Sequence, residues 1–422
     1  MKINLYALLC WFFVIMFALM QFDLQLIQSF FVNDLSSFFH LDNIGVAKLS
    51  SSFFYAFLAM QIPAGIIFTK HKTRNVLFYA IIISGIGCLV FGDAHSLYIA
   101  YLGRILIGAG CAFAYIGLIV VINDLFDSKY FILFVGISEF LSITGAGFLE
   151  NLFAYMIANL GWRETCILVA IMMLILGMLI YVSFLLLDMN RQNNQISPKG
   201  QNKDNLLLQV WNVITNKVII LSCIYGFAIY SICSGFASLW AIPLLKINYP
   251  FIYNSSNPGM ESAKVAQMIL IGIGFGSIVI GWLSAKIKPV NIMIFCSSGI
   301  FILSIVFLCT HVGYEYNLMI LFFIIGVMAS SYILSYTISK EYAEIGQEAI
   351  AIAVTNMIIV SGTIILQPII GWLLDLHSSW SNHILGPLTT NDFYFALWVL
   401  PISFFIAIIS AFYLKRLVKT AL

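Results

Sequence analysis

Long apolar runs alternate with short polar connections along the whole chain. Twelve of these runs, at about 20 residues each, are long enough to cross a bilayer as α-helices. The pattern predicts an all-α polytopic membrane protein. The first run lacks a small-residue cleavage site, so it is interpreted as a transmembrane helix and not as a signal peptide. The predicted spans cover residues 5–32, 46–68, 76–92, 98–122, 131–158, 165–187, 217–245, 264–285, 289–309, 316–338, 348–375 and 392–414.

One long polar connection divides the chain into two sets of six spans. Residues 189–216 are rich in Asn, Gln and Lys and contain Pro198 and Gly200, which is the composition of a solvated linker. The predicted organisation is an N-terminal six-helix bundle over 1–188, a linker over 189–216 and a C-terminal six-helix bundle over 217–422. The two bundles are expected to be related by pseudo-symmetry.

Composition and charge agree with this interpretation and add an orientation. The chain is 62% hydrophobic and 9% charged, with a mean hydropathy of +1.01, which excludes a soluble protein of this size. If the N-terminus is inside, fifteen of the 20 Lys and Arg residues fall in cytoplasmic segments and four fall outside. The positive-inside rule therefore predicts that both termini and the linker are cytoplasmic. The expected location is a bacterial inner membrane.

The two halves share a sequence repeat. GIIFTKHKTR (65–74) and GWLSAKIKPV (281–290) each end the second span of their half, and Arg74 belongs to the first of these basic loops. A glycine and two lysines recur 216 residues apart in them: Gly65 with Gly281, Lys70 with Lys286, and Lys72 with Lys288. Spans five and eleven match at an offset of 217, pairing Glu139 with Asn356 and Glu150 with Gln367. Such repeats are typical of secondary transporters, whose binding site lies near the midplane between the halves.

Two motifs resemble those of the major facilitator superfamily. RILIGAG (104–110), an arginine followed by spaced glycines, is similar to the fourth-span signature of that family, and GIIFTKHKTR is similar to its loop signature. The loop departs from the family pattern, because Thr69 and Ala285 stand where an acidic residue is usual. The usual charge-pair latch at that position is therefore in question.

The resemblance covers essentially the whole chain and extends to a branch of the family. The stretches that show this resemblance are SSSFFYAFLAMQIPAG (50–65), TNMIIVSGTIILQPIIGWLLD (355–375) and GWR (161–163). These stretches look like the branch that includes bacterial nutrient and amino-acid permeases and relatives of the animal lysosomal dipeptide carriers.

Four charged residues are expected at membrane depth: Asp23, Arg104, Glu139 and Glu150. A charge in hydrocarbon costs at least about 2.5–3.5 kcal/mol, so such residues usually pair and face a polar interior. At about 1.5 Å per residue, Asp23, Arg104 and Glu150 lie at comparable depth, while Glu139 and Glu150 share one helix face about 16 Å apart.

The resemblance implies that Arg104 faces a central cavity lined by spans one, four and five. We expect Asp23 or Glu150 to be its counter-ion and to couple transport to protons. A purely structural ion pair, and a bound anionic group of the substrate, are the alternatives for Arg104. For Glu139, a protonated side chain hydrogen-bonded within the bundle is an equal alternative.

The remaining candidate residues are uncharged and polar or aromatic, and they would line the substrate path. Asn356 and Gln367 are the strongest of them, since amides in hydrocarbon need partners. For the aromatic residues, helix packing or anchoring at the interface is the alternative. The predicted lining residues are Gln25, Tyr225, Tyr230, Trp240, Tyr332, Tyr336, Asn356 and Gln367, and the predicted gating-loop residues are Gly65, Lys70, Lys72, Arg74, Gly281, Lys286 and Lys288.

These features predict a secondary active transporter that works by alternating access. It would move a small polar organic solute, such as an amino acid or peptide, in symport with protons. Export of a siderophore or drug is the first alternative, and a non-transporting membrane sensor is the second. No catalytic constellation or GxxxxGK[ST] phosphate loop is present, so neither an enzyme nor ATP-driven transport by this chain is expected. The expected partners are the solute, protons and the lipid bilayer, with no cofactor, no metal and no nucleic acid, and the protein is expected to be a monomer.

Overall fold

In the part of the chain that the structure describes, the regular elements are helices. The computed structural model describes residues 5–26, 32–41, 43–191, 206–249, 252, 258–310, 315–380 and 389–420. The α-helices within these ranges are α1 Leu5–Leu26, α2 Val32–Phe39, α3 Asn43–Lys70, α4 Thr73–Gly92, α5 Leu97–Leu125, α6 Phe131–Leu160, α7 Trp162–Arg191, α8 Leu206–Thr215, α9 Lys217–Ser231, α10 Ala241–Asn248, α11 Pro258–Ser284, α12 Pro289–Cys309, α13 Glu315–Ala329, α14 Leu334–Glu341, α15 Glu348–Trp380, α16 Thr390–Leu397 and α17 Val399–Thr420.

The polytopic all-α architecture predicted from the apolar runs is confirmed. Within the described residues, 11 helical stretches are long and apolar enough to cross a membrane. The other predicted span corresponds to α6, a helix of 30 residues. Of the predicted first span, the structure describes α1 over Leu5–Leu26, and the next described helix, α2, begins at Val32. Residues 27–31, all of which the predicted span 5–32 includes, lie outside the described residues.

Two spans are not regular α-helices throughout. The seventh consists of α9, a π-helix over Ile232–Trp240 and α10. The tenth consists of α13, a 3₁₀ turn over Ser330–Ile333 and α14. Changes of helical period re-aim the side chains that follow and often accompany functional sites. Both irregular stretches carry polar side chains that are described below.

The chain divides into two compact units. Unit 1 contains Met1–Ser128, Leu141–Val210 and Glu344–Val354, and unit 2 contains the remaining residues. The division passes through α8, within the predicted linker. It also assigns the first third of α6 to unit 2 and the beginning of α15 to unit 1. The separation into bundles 1–188 and 217–422 remains a prediction.

The repeated glycines Gly65 and Gly281 make equivalent contacts, each inside its own unit. In unit 1, a methyl group placed on Gly65 would lie 2.6 Å from the Cβ atom of Ala353 and 2.9 Å from the Ala349 carbonyl oxygen. In unit 2, a methyl group on Gly281 would lie 2.8 Å from the Leu133 Cα atom. Only a glycine allows such close backbone approach, which explains why the repeat retains this residue type in both halves.

Arg163 closes the end of α4 in unit 1. Its two terminal nitrogens donate hydrogen bonds of 2.8 Å each to the carbonyl oxygens of Gly92 and Ala94. The guanidinium also lies 4.5 Å from the ring centres of Phe38 and Trp162. The last carbonyl groups of a helix have no hydrogen-bond donor inside the helix. The Arg163 side chain supplies the donors that α4 lacks.

We predict that Arg163→Lys destabilises the protein by about 1.5–3 kcal/mol, because an ammonium group cannot bind both carbonyls as the planar fork does. Thermal unfolding of the purified protein in detergent measures the loss. The matched control is Arg74→Lys, because Arg74 pairs with Asp188, whose side chain is 55% exposed. Such an exposed pair contributes about 0–1 kcal/mol. Equal losses in the two variants would contradict the role given to Arg163.

We predict that Gly65→Ala opens the contact between α3 and α15. An added methyl group does not fit there, whereas at Gly85 it would meet its nearest neighbour at an ordinary 3.4 Å, so Gly85→Ala is the control. The reporter is Asn123→Cys in a cysteine-free background, since Asn123 lines a pocket beside Ala349. Maleimide should label this cysteine faster in the Gly65→Ala variant than in the control. Identical labelling rates would show that the contact does not restrict access.

Candidate functional site

Arg104 is a buried cation in the second turn of α5. This helix begins at Leu97, and its N-cap Ser96 accepts a hydrogen bond from the Ile99 backbone. The Arg104 side chain is 0% exposed. One terminal nitrogen donates a 2.8 Å hydrogen bond to the Leu24 carbonyl of α1, and the guanidinium lies 5.0 Å from the centre of the Phe53 ring. Both contacts stabilise a positive charge without neutralising it.

The Arg104 guanidinium retains donor capacity. Its Nε and second terminal nitrogen have no hydrogen-bond partner among the residues that the structure describes. Asp23 is buried next to Leu24 and therefore lies near the same level of unit 1. Even so, the ion pairs of the described residues do not include one between Asp23 and Arg104. A buried guanidinium with two donors to satisfy suits an anionic group.

Two further predicted residues of this region are less defined. Glu150 lies on α6, but its side chain is outside the described residues, so its pairing with Arg104 remains a prediction. Gln25 is half-buried near the end of α1.

Glu139 joins a cluster of tyrosines in unit 2. The Tyr332 hydroxyl donates a 2.6 Å hydrogen bond to Glu139 Oε1. The Tyr230 ring centre lies 4.9 Å from that of Tyr332, and Tyr336 follows at 6.3 Å. The Tyr336 hydroxyl in turn donates a 2.8 Å hydrogen bond to Asn356 Oδ1. We call these five residues the carboxylate–tyrosine cluster.

Local structure explains how the carboxylate–tyrosine cluster forms. Tyr332 belongs to the 3₁₀ turn of span ten, and Tyr336 lies four residues later in α14. Spacing of four places the two phenols on one side. Glu139 belongs to the part of α6 that packs in unit 2, and its side chain is 3% exposed. Glu139, which belongs to the first half of the sequence, therefore contacts residues of the second half.

Tyr225 takes a different position from the other predicted tyrosines. It is fully buried, and its hydroxyl bonds to the Ser331 hydroxyl at 2.7 Å and to the Met293 carbonyl at 3.1 Å. These bonds connect α9 with α12 and with the 3₁₀ turn. The observed geometry is that of helix packing, which was the alternative given for the aromatic residues.

A second cluster of polar residues surrounds Gln367, which follows Asn356 by eleven residues in α15. Its amide nitrogen donates to the Ser238 hydroxyl at 2.9 Å and to the Ser234 carbonyl at 3.0 Å. The Trp240 indole nitrogen donates to the backbone carbonyl of Gln367 at 3.2 Å. The π-helix places Ser234, Ser238 and Trp240 at this side of unit 2. The two serines were not predicted, because their spacing has meaning only once the π-helix is known.

The predicted gating-loop residues separate into contacts and exposed charges. Gly65 and Gly281 make the close backbone contacts described above. Arg74 pairs with Asp188 at 3.0 Å, and its guanidinium lies 5.1 Å from the centre of the Tyr181 ring. Lys286 lies 3.9 Å from the ring centre of Trp282. The side chains of Lys70, Lys72 and Lys288 are exposed.

Three comparisons place the chain among known proteins. The family model of the Major Facilitator Superfamily matches residues 12–337. No curated protein matches the sequence. Among solved structures, FucP, a Major Facilitator Superfamily transporter in the outward conformation, has a TM-score of 0.68 at 14% identity, covering 97% of this chain and 98% of that one.

A second structure agrees with the first. A variant of the E. coli fucose:proton symporter FucP has a TM-score of 0.70 at 15% identity, again covering 97% of this chain and 98% of that one. At this identity the likeness shows the fold. The family model spans more than three quarters of the chain, and the fold agrees over nearly all of it. The chain therefore belongs to the Major Facilitator Superfamily of membrane transporters.

Proposed function

We propose that this transporter moves a small polar organic solute together with protons, by alternating access. The observation that carries the proposal is the buried Glu139 carboxyl group held by the Tyr332 hydroxyl. The structural neighbour FucP is described as a fucose:proton symporter, which supports proton coupling for a protein of the same fold. Amino acids, peptides and similar nutrients are the proposed solutes.

Glu139 has the chemistry that proton coupling requires. Its carboxylate form accepts the Tyr332 hydrogen bond, while its protonated form carries no charge into an apolar surrounding. A group that is tolerable in both forms can take up a proton on one side and release it on the other. The neighbouring Tyr230, Tyr336 and Asn356 offer aromatic faces and an amide for a polar solute.

Arg104 supplies the complementary chemistry in unit 1. Its two unused donors suit a carboxylate, which is either that of the solute or that of Glu150. A zwitterionic amino acid would satisfy it, whereas a neutral sugar would not. The lysine and arginine distribution supports a cytoplasmic position of both termini and of the linker.

We predict that Glu139→Gln separates solute movement from proton movement. Glutamine keeps an acceptor for Tyr332 but cannot release a proton, so solute-driven proton flux should fall by about 10²-fold or more. Proteoliposomes loaded with a pH-sensitive dye, tested with amino acids, dipeptides and monosaccharides, give the readout. Exchange of labelled for unlabelled solute should persist. Glu164→Gln, at an exposed acid of α7, is the control, and full coupling in Glu139→Gln would exclude Glu139 as the proton carrier.

We predict that Arg104→Lys weakens transport of carboxylate-bearing solutes by about 10–100-fold, because a hydrogen bond to a charged group contributes about 1.5–3 kcal/mol. Uptake of solutes without an anionic group should be unchanged. Arg416→Lys, at an exposed arginine of α17, controls for the loss of a guanidinium elsewhere. An equal loss for charged and neutral solutes would indicate that Arg104 only holds the helices of unit 1 together.

A further inference from the structure

Three buried hydroxyl groups form a continuous hydrogen-bonded chain in unit 2. Thr355 of α15 donates a 2.7 Å bond to Ser339 of α14, and Ser339 lies 2.9 Å from Ser222 of α9. Ser222 donates a 2.7 Å bond to the Ile219 carbonyl. The Thr355, Ser339 and Ser222 side chains are all 0% exposed. We call these three residues the hydroxyl chain.

The hydroxyl chain begins beside the carboxylate–tyrosine cluster. Thr355 immediately precedes Asn356, which accepts the hydrogen bond of Tyr336. Tyr336 lies on the same side of span ten as Tyr332, which holds Glu139. Ser339 follows Tyr336 by three residues, so it continues this side of α14 by one turn.

The other end of the hydroxyl chain is Ser222, five residues after the first residue of α9, and its hydrogen bond to the Ile219 carbonyl points towards the beginning of that helix. Ile219 is two residues after Lys217, the first residue of this helix, which corresponds to about 3 Å along its axis. Asn216 caps the helix and donates a 3.0 Å bond to the Tyr342 carbonyl just after α14. Since α8 ends at Thr215, this is the side of unit 2 that the linker enters.

We propose that Thr355, Ser339 and Ser222 conduct protons between the carboxylate–tyrosine cluster and the linker side of unit 2. The proposal rests on the proposed proton coupling through Glu139. It extends that coupling by naming the route that the proton takes after leaving the carboxyl group.

The transfer balances when water takes part at both ends. Glu139 gives its proton to water that enters the carboxylate–tyrosine cluster, and a water molecule next to Thr355 gives a proton to the Thr355 oxygen. Thr355 passes its own proton to Ser339, and Ser339 passes its own to Ser222, along the two observed hydrogen bonds. Ser222, whose proton is donated to the Ile219 carbonyl, turns its hydroxyl and releases that proton to water that enters when the linker side opens. Each hydroxyl oxygen gains one proton and loses one, so the chain is unchanged apart from the orientation of its bonds.

Hydroxyl groups suit this task because each one donates and accepts at the same time. The buried Ser304 of α12 provides a contrast within unit 2, because its hydroxyl returns to the Phe301 carbonyl of its own helix. The hydroxyl chain instead joins three helices in one direction. Helix adhesion alone is the competing explanation, since hydroxyls also hold membrane helices together.

The experiment compares Thr355→Val, Ser339→Ala and Ser339→Thr with Ser304→Ala in proteoliposomes. For each solute that the unaltered protein moves, from a panel of amino acids, dipeptides and monosaccharides, two rates are measured. One is solute-driven proton flux, read from an enclosed pH-sensitive dye. The other is exchange of labelled for unlabelled solute, which needs no net proton movement. Thermal unfolding of each variant reports on folding.

We expect Thr355→Val and Ser339→Ala to lower proton flux by about 10²-fold, the lower end of what a positioned proton-transfer group contributes, with exchange retained. Ser339→Thr restores the hydroxyl and should restore the flux, and Ser304→Ala should have no effect. Unchanged proton flux in well-folded Thr355→Val and Ser339→Ala overturns the route, as does a parallel loss of flux and exchange. If the unaltered protein moves solute without protons, the proposed coupling itself fails, which is a distinguishable result.

Discussion

A polar group within a membrane protein must find its partner inside the protein, because hydrocarbon offers none. This constraint explains most of the described side-chain contacts. Many buried serines and threonines bond back to a carbonyl three or four residues earlier in their own helix, as Ser138 and Ser277 do. The groups that depart from this local solution are the informative ones. Arg104, Glu139, Gln367 and the hydroxyl chain all reach to another helix.

The two units meet this constraint with different chemistry. Unit 1 holds a guanidinium against a backbone carbonyl and an aromatic ring, which leaves the positive charge available for an anion. Unit 2 holds a carboxyl group against phenols and continues into amides and hydroxyls. The proposed symport of protons with a solute rests on these two groups, the guanidinium as the site for an anion and the carboxyl group as the site for a proton.

The sequence repeat has a structural counterpart at its glycines. Gly65 and Gly281 each allow the beginning of a helix from the other half of the sequence to approach closely. The basic residues around them are not equivalent in the same way. Arg74 pairs with Asp188, while Lys286 lies against the Trp282 ring. The acidic residue that the family usually has in this loop is replaced by Thr69 in one copy and by Ala285 in the other. Close packing of small residues is therefore the part of the repeat that both halves retain.

The sequence by itself determined the membrane class, the order of the spans and the residues for which a bilayer is costly. Hydropathy and helical rise depend only on the local chain, so Arg104, Glu139, Asn356 and Gln367 could be identified without a fold. Their partners could not be identified. Glu139 and Tyr332 are 193 residues apart in the chain. Ser238 contacts Gln367 because it lies in a π-helix, which the hydrophobic periodicity of the sequence does not predict. Which groups meet is decided by how helices pack, and that depends on close contacts distributed over the whole unit.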